Sequence, residues 1–311
     1  MGEITKVKTA NHEEWKELRS HYIGGSDAAA VVGMNSFSTP YALWAEKTGR
    51  IPGFEGNLAT EVGTYLEEFV AQKFAQETGK KVRKCNLSFF NSDYPWAIAN
   101  IDREIVGEDA GLEIKTTSEL NLKRFRGGEY PENYYCQCVH YMAITGKKRW
   151  YLAVLVGNRD FLWFTIERDE AEIAALMAAE ADFWECVKTN TPPAVDGTRA
   201  TTEAVKTIYA DSNDDTVDLY SYTADLDQYL SLSAEIKGLE AQRNEVANRI
   251  KDFMGEAGKG ENEKYRVSWA SSVRRTFDSN RFAADNPDID LSEYYNETTT
   301  RTFRVAKQKG A

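Results

Sequence analysis

Hydrophobic and polar positions follow two periods along this chain, and the changes of period mark its elements. Residues 11–20 carry Trp15 and Leu18 at helical spacing among charges, which predicts a short amphipathic helix. Tyr22-Ile23-Gly24-Gly25-Ser26-Asp27 then gives way to the small apolar residues Ala28 to Val32. The glycine pair permits a tight turn, Ser26 is placed to cap a helix and Gly33 to stop it. Thr39-Pro40 opens another helix, which Gly49 closes. A longer helix is predicted over Leu58–Thr78, ending at Gly79, with Leu66, Phe69, Val70 and Phe74 as its buried stripe and Glu67 beside that stripe.

The period then falls to two. Apolar runs over Trp96–Val106 and Leu112–Thr117 flank a turn rich in Gly, Glu and Asp, the pattern of a β-hairpin. Pro131 opens a helix through Thr145 with Gly146 as its stop, carrying Gln137 and Tyr141 one turn apart on one face. Two strands follow, Arg149–Val156 and Phe161–Glu167. Both alternate sets of the first are apolar, so it is predicted to be central and covered on both sides. Asp169 caps a helix to about Lys188, ended by Pro192-Pro193. The order implies an α/β domain with a mixed central sheet flanked by helices, over residues 1–195.

Residues 196–220 are polar and acidic and read as a linker or irregular cover. From Tyr222 to Met254 apolar positions return at 3.5-residue spacing, predicting a long amphipathic helix whose stripe packs on its own domain or on a neighbouring chain. Strand-like pieces at Tyr265–Ala270, Arg274–Phe277 and Thr299–Val305 complete an α+β appendage over 221–311. No motif in the appendage carries chemistry.

Composition narrows the function. A net charge of -11 over 311 residues argues against coating nucleic acid by bulk charge, though a local basic groove is compatible with it. The basic clusters are Lys80, Lys81, Arg83 and Lys84; Lys123, Arg124 and Arg126; and Lys147, Lys148 and Arg149. The second follows the hairpin closely. Cys85, Cys136, Cys138 and Cys186 are scattered, without zinc or iron–sulfur spacing. No signal peptide and no membrane-spanning apolar run is visible, so the reading is a reduced, cytoplasmic protein with no membrane partner.

Candidate chemistry centres on the hairpin. Glu113 and Lys115 lie two apart, so both leave the same strand face, about 6.6 Å apart along it. Leu112, Ile114 and Thr116 take the other face, and Asp102 occupies the matching point of the preceding strand. A surface hairpin with a cross-strand salt bridge would explain a lone Glu-x-Lys. On a strand apolar enough to be buried, however, such charges are costly without a metal or charged substrate. Two carboxylates suit a hard divalent cation, and a lysine beside them suits a metal-bound water attacking a phosphate. Three histidines, His12, His21 and His140, offer little alternative, and no Ser-His-Asp or Cys-His arrangement competes.

In order along the chain stand Arg19 with Ile23-Gly-Gly-Ser26-Asp27, Gly63-x-x-x-Glu67, Ile101-Asp102, Gly111-Leu-Glu113-Ile-Lys115, Phe125-Arg-Gly-Gly128, Gln137-x-x-x-Tyr141 and Phe164-Thr-Ile-Glu-Arg-Asp169. Over roughly residues 10–190 this set resembles the lambda-exonuclease branch of the PD-(D/E)XK nucleases, specifically the YqaJ-type viral recombinase nucleases of phages and prophages. One departure is Ile101 where the motif often has proline. The resemblance implies a restriction-endonuclease-like core and a Mg²⁺-dependent 5′-to-3′ exonuclease that degrades one strand of linear duplex DNA, leaving 3′ overhangs for recombination in a bacterial host cell. It further implies two Mg²⁺ per site, replaceable by Mn²⁺, a homotrimeric ring and a single-strand annealing partner. By position, Asp102, Glu113 and the Ile114 carbonyl would hold metal. Lys115 would orient or activate water, Glu67 and Gln137 would complete the site, and Arg19 and Ser26 would anchor a 5′-phosphate. Two other readings are a RecB-like repair nuclease of the same fold and a non-catalytic DNA-binding subunit of a recombination complex.

Overall fold

The chain divides after Tyr209 into two compact units, seen in a computed structural model that describes residues 2–296 and 299–308. The first unit runs β1 (Ile4–Val7), α1 (His12–Ser20), β2 (Ile23–Gly24), α2 (Gly25–Val31), α3 (Pro40–Lys47), α4 (Leu58–Thr78), β3 (Val82–Lys84), β4 (Ser88–Asn91), β5 (Ala97–Asn100), β6 (Arg103–Ile105) and β7 (Ala110–Thr117). It continues with α5 (Glu132–Thr145), β8 (Arg149–Val156), β9 (Asp160–Glu167), α6 (Glu170–Lys188) and α7 (Arg199–Ile208). A five-stranded sheet has the order β3-β6-β7-β8-β9, and a four-stranded sheet the order β1-β4-β5-β2. Both are mixed: β7 pairs with β8 and β2 with β5 in parallel, while the other pairs are antiparallel. Mixed sheets flanked by helices are the architecture expected.

The five-stranded sheet is apolar on both faces. On one, Val70, Ala71 and Phe74 of α4 pack on Ala110, Leu112, Ile114, Tyr151 and Ala153. On the other, α5 brings Cys138 and Met142 to Trp150, Leu152 and Val154. This covers β8 on both sides, as its double apolar pattern predicts. Asn57 caps α4 by accepting from Thr60 N. α4 and α5 end at Gly79 and Gly146, whose φ of 68° and 70° are left-handed and cost a residue with a Cβ more than glycine.

Several local expectations are corrected. The strand predicted over Trp96–Val106 is two strands, β5 and β6, in different sheets. The α4 stripe is Val70, Ala71 and Phe74, whereas Phe69 is 54% exposed. Ser26 is not the N-cap of α2; Gly24 is, because the helix already starts at Gly25. That pair serves a close approach rather than a special turn: a Cβ on Gly25 would lie 2.4 Å from the Tyr141 ring. The segment 196–220, expected as linker, contains α7, whose Thr201 hydroxyl meets that of Thr39 at 2.8 Å and whose Ala204 is buried with α3. Short strands β1, β3 and β4 carried too few residues for a period to register.

The second unit contains α8 (Thr223–Met254), the hairpin of β10 (Lys259–Glu261) and β11 (Arg266–Ser268), and α9 (Ser279–Asp285). The strand-like pieces at 274–277 and 299–305 are irregular, and only 266–268 of the first predicted piece is extended in a ladder. No helix among the described residues is long and apolar enough to cross a membrane.

Gly111 and Trp150 are partners in the parallel ladder, and a Cβ on Gly111 would sit 2.3 Å from the indole. The bare backbone lets the indole lie across β7 beside the charged pair. Gly111→Ala is therefore expected to lose about 2–3 kcal/mol by forcing this contact apart, read as a lower urea midpoint at unchanged slope.

Candidate active site

The site sits where β5 leaves one sheet and β6 enters the other. Extended to Asp102, the β6–β7 register of Arg103 opposite Leu112 would set Asp102 opposite Glu113. Instead the ladder stops, and the Asp102 carboxylate accepts the Ile114 amide at 2.8 Å. A side-chain oxygen thus takes the donor that a continued strand would have taken. The N–H and C=O of a strand residue leave on the same edge. The Ile114 carbonyl therefore also points toward Asp102, beyond the end of β6.

Glu113 and Lys115 leave β7 on the α5 face, as their spacing predicts. Glu113 is buried, and its Oε1 lies 2.6 Å from Lys115 Nζ. Lys115 also donates to Gln137 Oε1 at 2.8 Å, and the Gln137 amide donates onward to the Tyr141 hydroxyl at 2.8 Å. This chain fixes which way the Gln137 amide points. The Tyr134 ring covers the ammonium at 5.4 Å. Burial raises the Asp102 carboxyl well above its ordinary value, with Glu113 adding to the rise, and burial also raises Glu113. For Lys115 burial works the other way, but Glu113 and Asp102 outweigh it and the ammonium is held above its usual value. Lys115 is consequently a firmly charged donor.

Glu67 stands at the margin rather than in the centre. Its carboxylate is bound by Arg103, a guanidinium with 2% of its side chain exposed. Arg103 also donates to the Asp102 carbonyl at 2.9 Å and to Glu68 Oε2 at 3.0 Å. Its neighbour Asp102 faces the site, so Arg103 turns to the α4 face and ties the helix to the backbone of the metal-candidate strand. Sequence reasoning passed over Arg103. A charged residue in an otherwise apolar strand, next to the key aspartate, was the available signal.

Arg19 and Ser26 form a second cluster. The Arg19 guanidinium donates to the Ser26 hydroxyl and lies 3.7 Å from Asp27, while Lys47 meets Asp27 at 2.9 Å. Burial alone would raise Asp27, but Lys47 and Arg19 hold it below the usual carboxylate range. Lys47, only 5% exposed in its side chain, is a participant the sequence did not announce. His140 is sealed away from Lys115 and Glu113: Nδ1 meets Glu180 Oε1 at 2.8 Å and Nε2 meets the Ile98 carbonyl at 3.0 Å. His21 is exposed.

The donor set fits a divalent cation. Among the described residues no three His, Cys, Asp or Glu side chains form a ready cage, since Arg103 engages Glu67. What converges is two carboxylates and one backbone carbonyl. Glu113 Oε2 is buried without a hydrogen-bond partner, an orphaned oxygen whose desolvation a bound cation would offset. Hard oxygen donors, few in number and leaving room for water, are what Mg²⁺ takes.

Two outcomes are expected of variants. A carboxyl whose folded pKa is raised binds its proton more tightly in the folded chain. Its charged form thus opposes folding increasingly as pH climbs from the ordinary value through the raised one, and fully above it. Asp102→Asn should raise the melting temperature of metal-free protein at neutral pH, by about 2–4 °C per kcal/mol relieved, and should erase any Mg²⁺-induced rise. Arg103→Met leaves Glu67 and Glu68 unneutralised and should lose about 2 kcal/mol in urea unfolding. Part of that loss should return when Glu67→Gln is added.

A sequence profile of the YqaJ-like viral recombinase domain matches residues 14–148. The chain is 36% identical over 308 residues to the uncharacterized protein YqaJ of Bacillus subtilis (strain 168), an alignment covering 97% of this chain and 96% of that one. Among solved structures, the alkaline exonuclease LHK-Exo from Laribacter hongkongensis matches with a TM-score of 0.49 at 23% identity, over 58% of this chain and 94% of that chain. A phage related exonuclease from Haemophilus somnus 129PT matches with a TM-score of 0.41 at 11% identity, over 57% and 99%. The nearly end-to-end match to YqaJ at 36% identity settles the family: this chain belongs to the YqaJ family and carries its viral recombinase domain.

Proposed function

We propose that the protein is a Mg²⁺-dependent exonuclease that degrades one strand of linear duplex DNA from its 5′ end, leaving 3′ single strands for recombination. The observation that carries this reading is the Asp102–Glu113–Lys115 constellation, with Glu113 buried and one of its oxygens orphaned. Asp102, Glu113 and the Ile114 carbonyl would hold Mg²⁺, two ions per site by family resemblance, with Mn²⁺ as a substitute. Bound there, the cation would lower the pKa of water and neutralise charge on the phosphoryl oxygens.

The protein's own groups have distinct tasks. Lys115 orients or activates the attacking water. Two of its three N–H groups go to Glu113 and Gln137, which leaves one to aim into the site. Gln137, locked by Tyr141, holds the lysine in place. Glu67 contributes from the margin, through water or the lysine. Arg19 and Ser26 would receive a 5′-phosphate, with the half-buried Asp27–Lys47 pair keeping Arg19 oriented.

A local path for the duplex is compatible with the acid balance of the chain. Lys80, Arg83 and Arg149 are paired with Glu108, Glu104 and Glu167 at 2.5, 2.7 and 2.6 Å. Lys123, Arg124 and Arg126, exposed just after β7, have no ion pair among the described residues. Those three are free to meet phosphates. A homotrimeric assembly, a single-strand annealing partner and a cytoplasmic place of work in a phage-bearing bacterium complete the proposal; they rest on family resemblance.

The test is digestion of linear duplex DNA in Mg²⁺ with each strand labelled separately and with 5′-phosphate or 5′-hydroxyl ends. Wild type should consume the 5′-phosphorylated strand and act more slowly on hydroxyl ends. Glu113→Ala should reduce the rate by at least about a thousandfold, the scale of losing a major electrostatic group. End-independent or 3′-first digestion would overturn the polarity and the phosphate anchor. No Mg²⁺-dependent digestion of any end would overturn the nuclease reading itself.

A further inference from the structure

The second unit contains a helix whose pattern asks for a partner of its own kind. From Tyr229 to Phe253, α8 repeats every seven residues without a slip. One set of core positions is Tyr229, Ile236, Arg243 and Ile250, and the other is Leu232, Leu239, Val246 and Phe253. The seven apolar members are 43–92% exposed, and no residue of α8 is buried. Within the unit, Tyr229 meets Phe303 edge-on at 5.3 Å, the stripe's one ring–ring contact among the described residues. A helix lying straight on a sheet or domain face needs a 3.6-residue period. A strict 3.5 period drifts about 20° per heptad from a straight line, and two helices that wind around each other absorb that drift.

Charge selects the second helix. We propose that α8 pairs with α8 of a second copy in an antiparallel, two-fold coiled coil centred near Ala241. In that arrangement Tyr229 faces Phe253 of the other copy, Leu232 faces Ile250, Ile236 faces Val246 and Leu239 faces Arg243. Each contact recurs by symmetry, as an isologous interface requires. One flank then becomes complementary, with Glu235 across from Arg249 and Gln242 from Gln242. On the other flank the two Glu240 carboxylates meet near the axis, where the central Arg243 of each helix comes beside Glu240 of the other and offsets their charge. In a parallel pair the same sequence opposes itself. Arg243 would face Arg243 in the core, and Glu235 would face Glu240 at the flank.

In the single chain Arg249 meets Glu245 at 2.8 Å along the helix, with both side chains more than half exposed, so its other donors remain available to a carboxylate opposite. The lone polar core residue sets register and orientation, the best-attested use of such a position. The dimer seam joins second units.

Full-length protein tests this directly. Light scattering after size exclusion should give an even number of chains, six where α8 pairs join two of the homotrimers proposed above, and Ile236→Glu with Val246→Glu should halve that mass while the far-ultraviolet dichroism is retained. Orientation is read by cysteine pairs. Ile236→Cys with Val246→Cys in one chain should give covalent dimers on mild oxidation. Either substitution alone should give no more than the wild type with its native cysteines, because each new thiol then faces an aliphatic side chain. Cross-linking by a single substitution would mean parallel helices and overturn the proposed seam. A mass indifferent to the two glutamates, or no cross-link from the double variant, would overturn self-pairing altogether.

Discussion

Two carboxylates stand beside one half-buried ammonium at the point where the chain passes from one sheet to the other, and much of the first unit follows from accommodating them. Asp102 ends the β6–β7 ladder by taking the Ile114 amide with its side chain. Glu113 is enclosed with one oxygen on Lys115 and the other on nothing. Lys115 is oriented by Gln137, and Gln137 by Tyr141. Tyr141 in turn fixes the approach of α2, which is close enough to admit only glycine at position 25. The line of contacts runs from the carboxylates to Ser26 of α2 and Arg19 of α1 without leaving hydrogen-bond or van der Waals distance.

Charge around this centre is balanced by cations of two kinds. Lys115 sits among the carboxylates with a donor to spare, as a group that acts on something else should. Arg103 has no such freedom, because its guanidinium is divided between Glu67, Glu68 and a backbone carbonyl and has almost no exposed surface. An arginine so placed holds geometry. It keeps the α4 carboxylates from adding their full charge to a pair that burial already pushes toward protonation. The balance disfavours the two charged carboxylates by themselves and would favour a cation bound between them, the usual cost of a prepared site.

Much of this was legible in the sequence where a long period or a fixed spacing carried it. The two-residue step from Glu113 to Lys115 puts both on one face whatever the surroundings, and the four-residue step from Gln137 to Tyr141 does the same on a helix. The doubly apolar β8, the stops at Gly79 and Gly146 and the long helix of the second unit are of this kind. What the sequence concealed depended on contacts between distant residues. Trp96 to Val106 reads as one strand because nothing local says that Asp102 will cap a neighbouring amide and divide it. Phe69 reads as core because helical spacing marks a stripe without saying how far along the helix the sheet extends. Lys47 and Arg103 look like ordinary surface cations until the fold sets acids against them.

The two units differ in what their apolar surface is fitted to. In the first, helices cover a sheet, and a sheet face accepts a stripe that starts late or wanders. α4 shows this by burying Val70, Ala71 and Phe74 while leaving Leu58, Val62, Tyr65 and Phe69 exposed along its earlier turns. α8 tolerates no such irregularity over its heptads and interrupts them only with Arg243, in register. A pattern kept that strictly is informative because single-helix packing does not demand it. Winding around a second helix does, since each side chain must meet its hole at every turn or the seam diverges. The regularity of α8 is therefore evidence about its neighbour, in the same way that the orphaned oxygen of Glu113 is evidence about what belongs beside it.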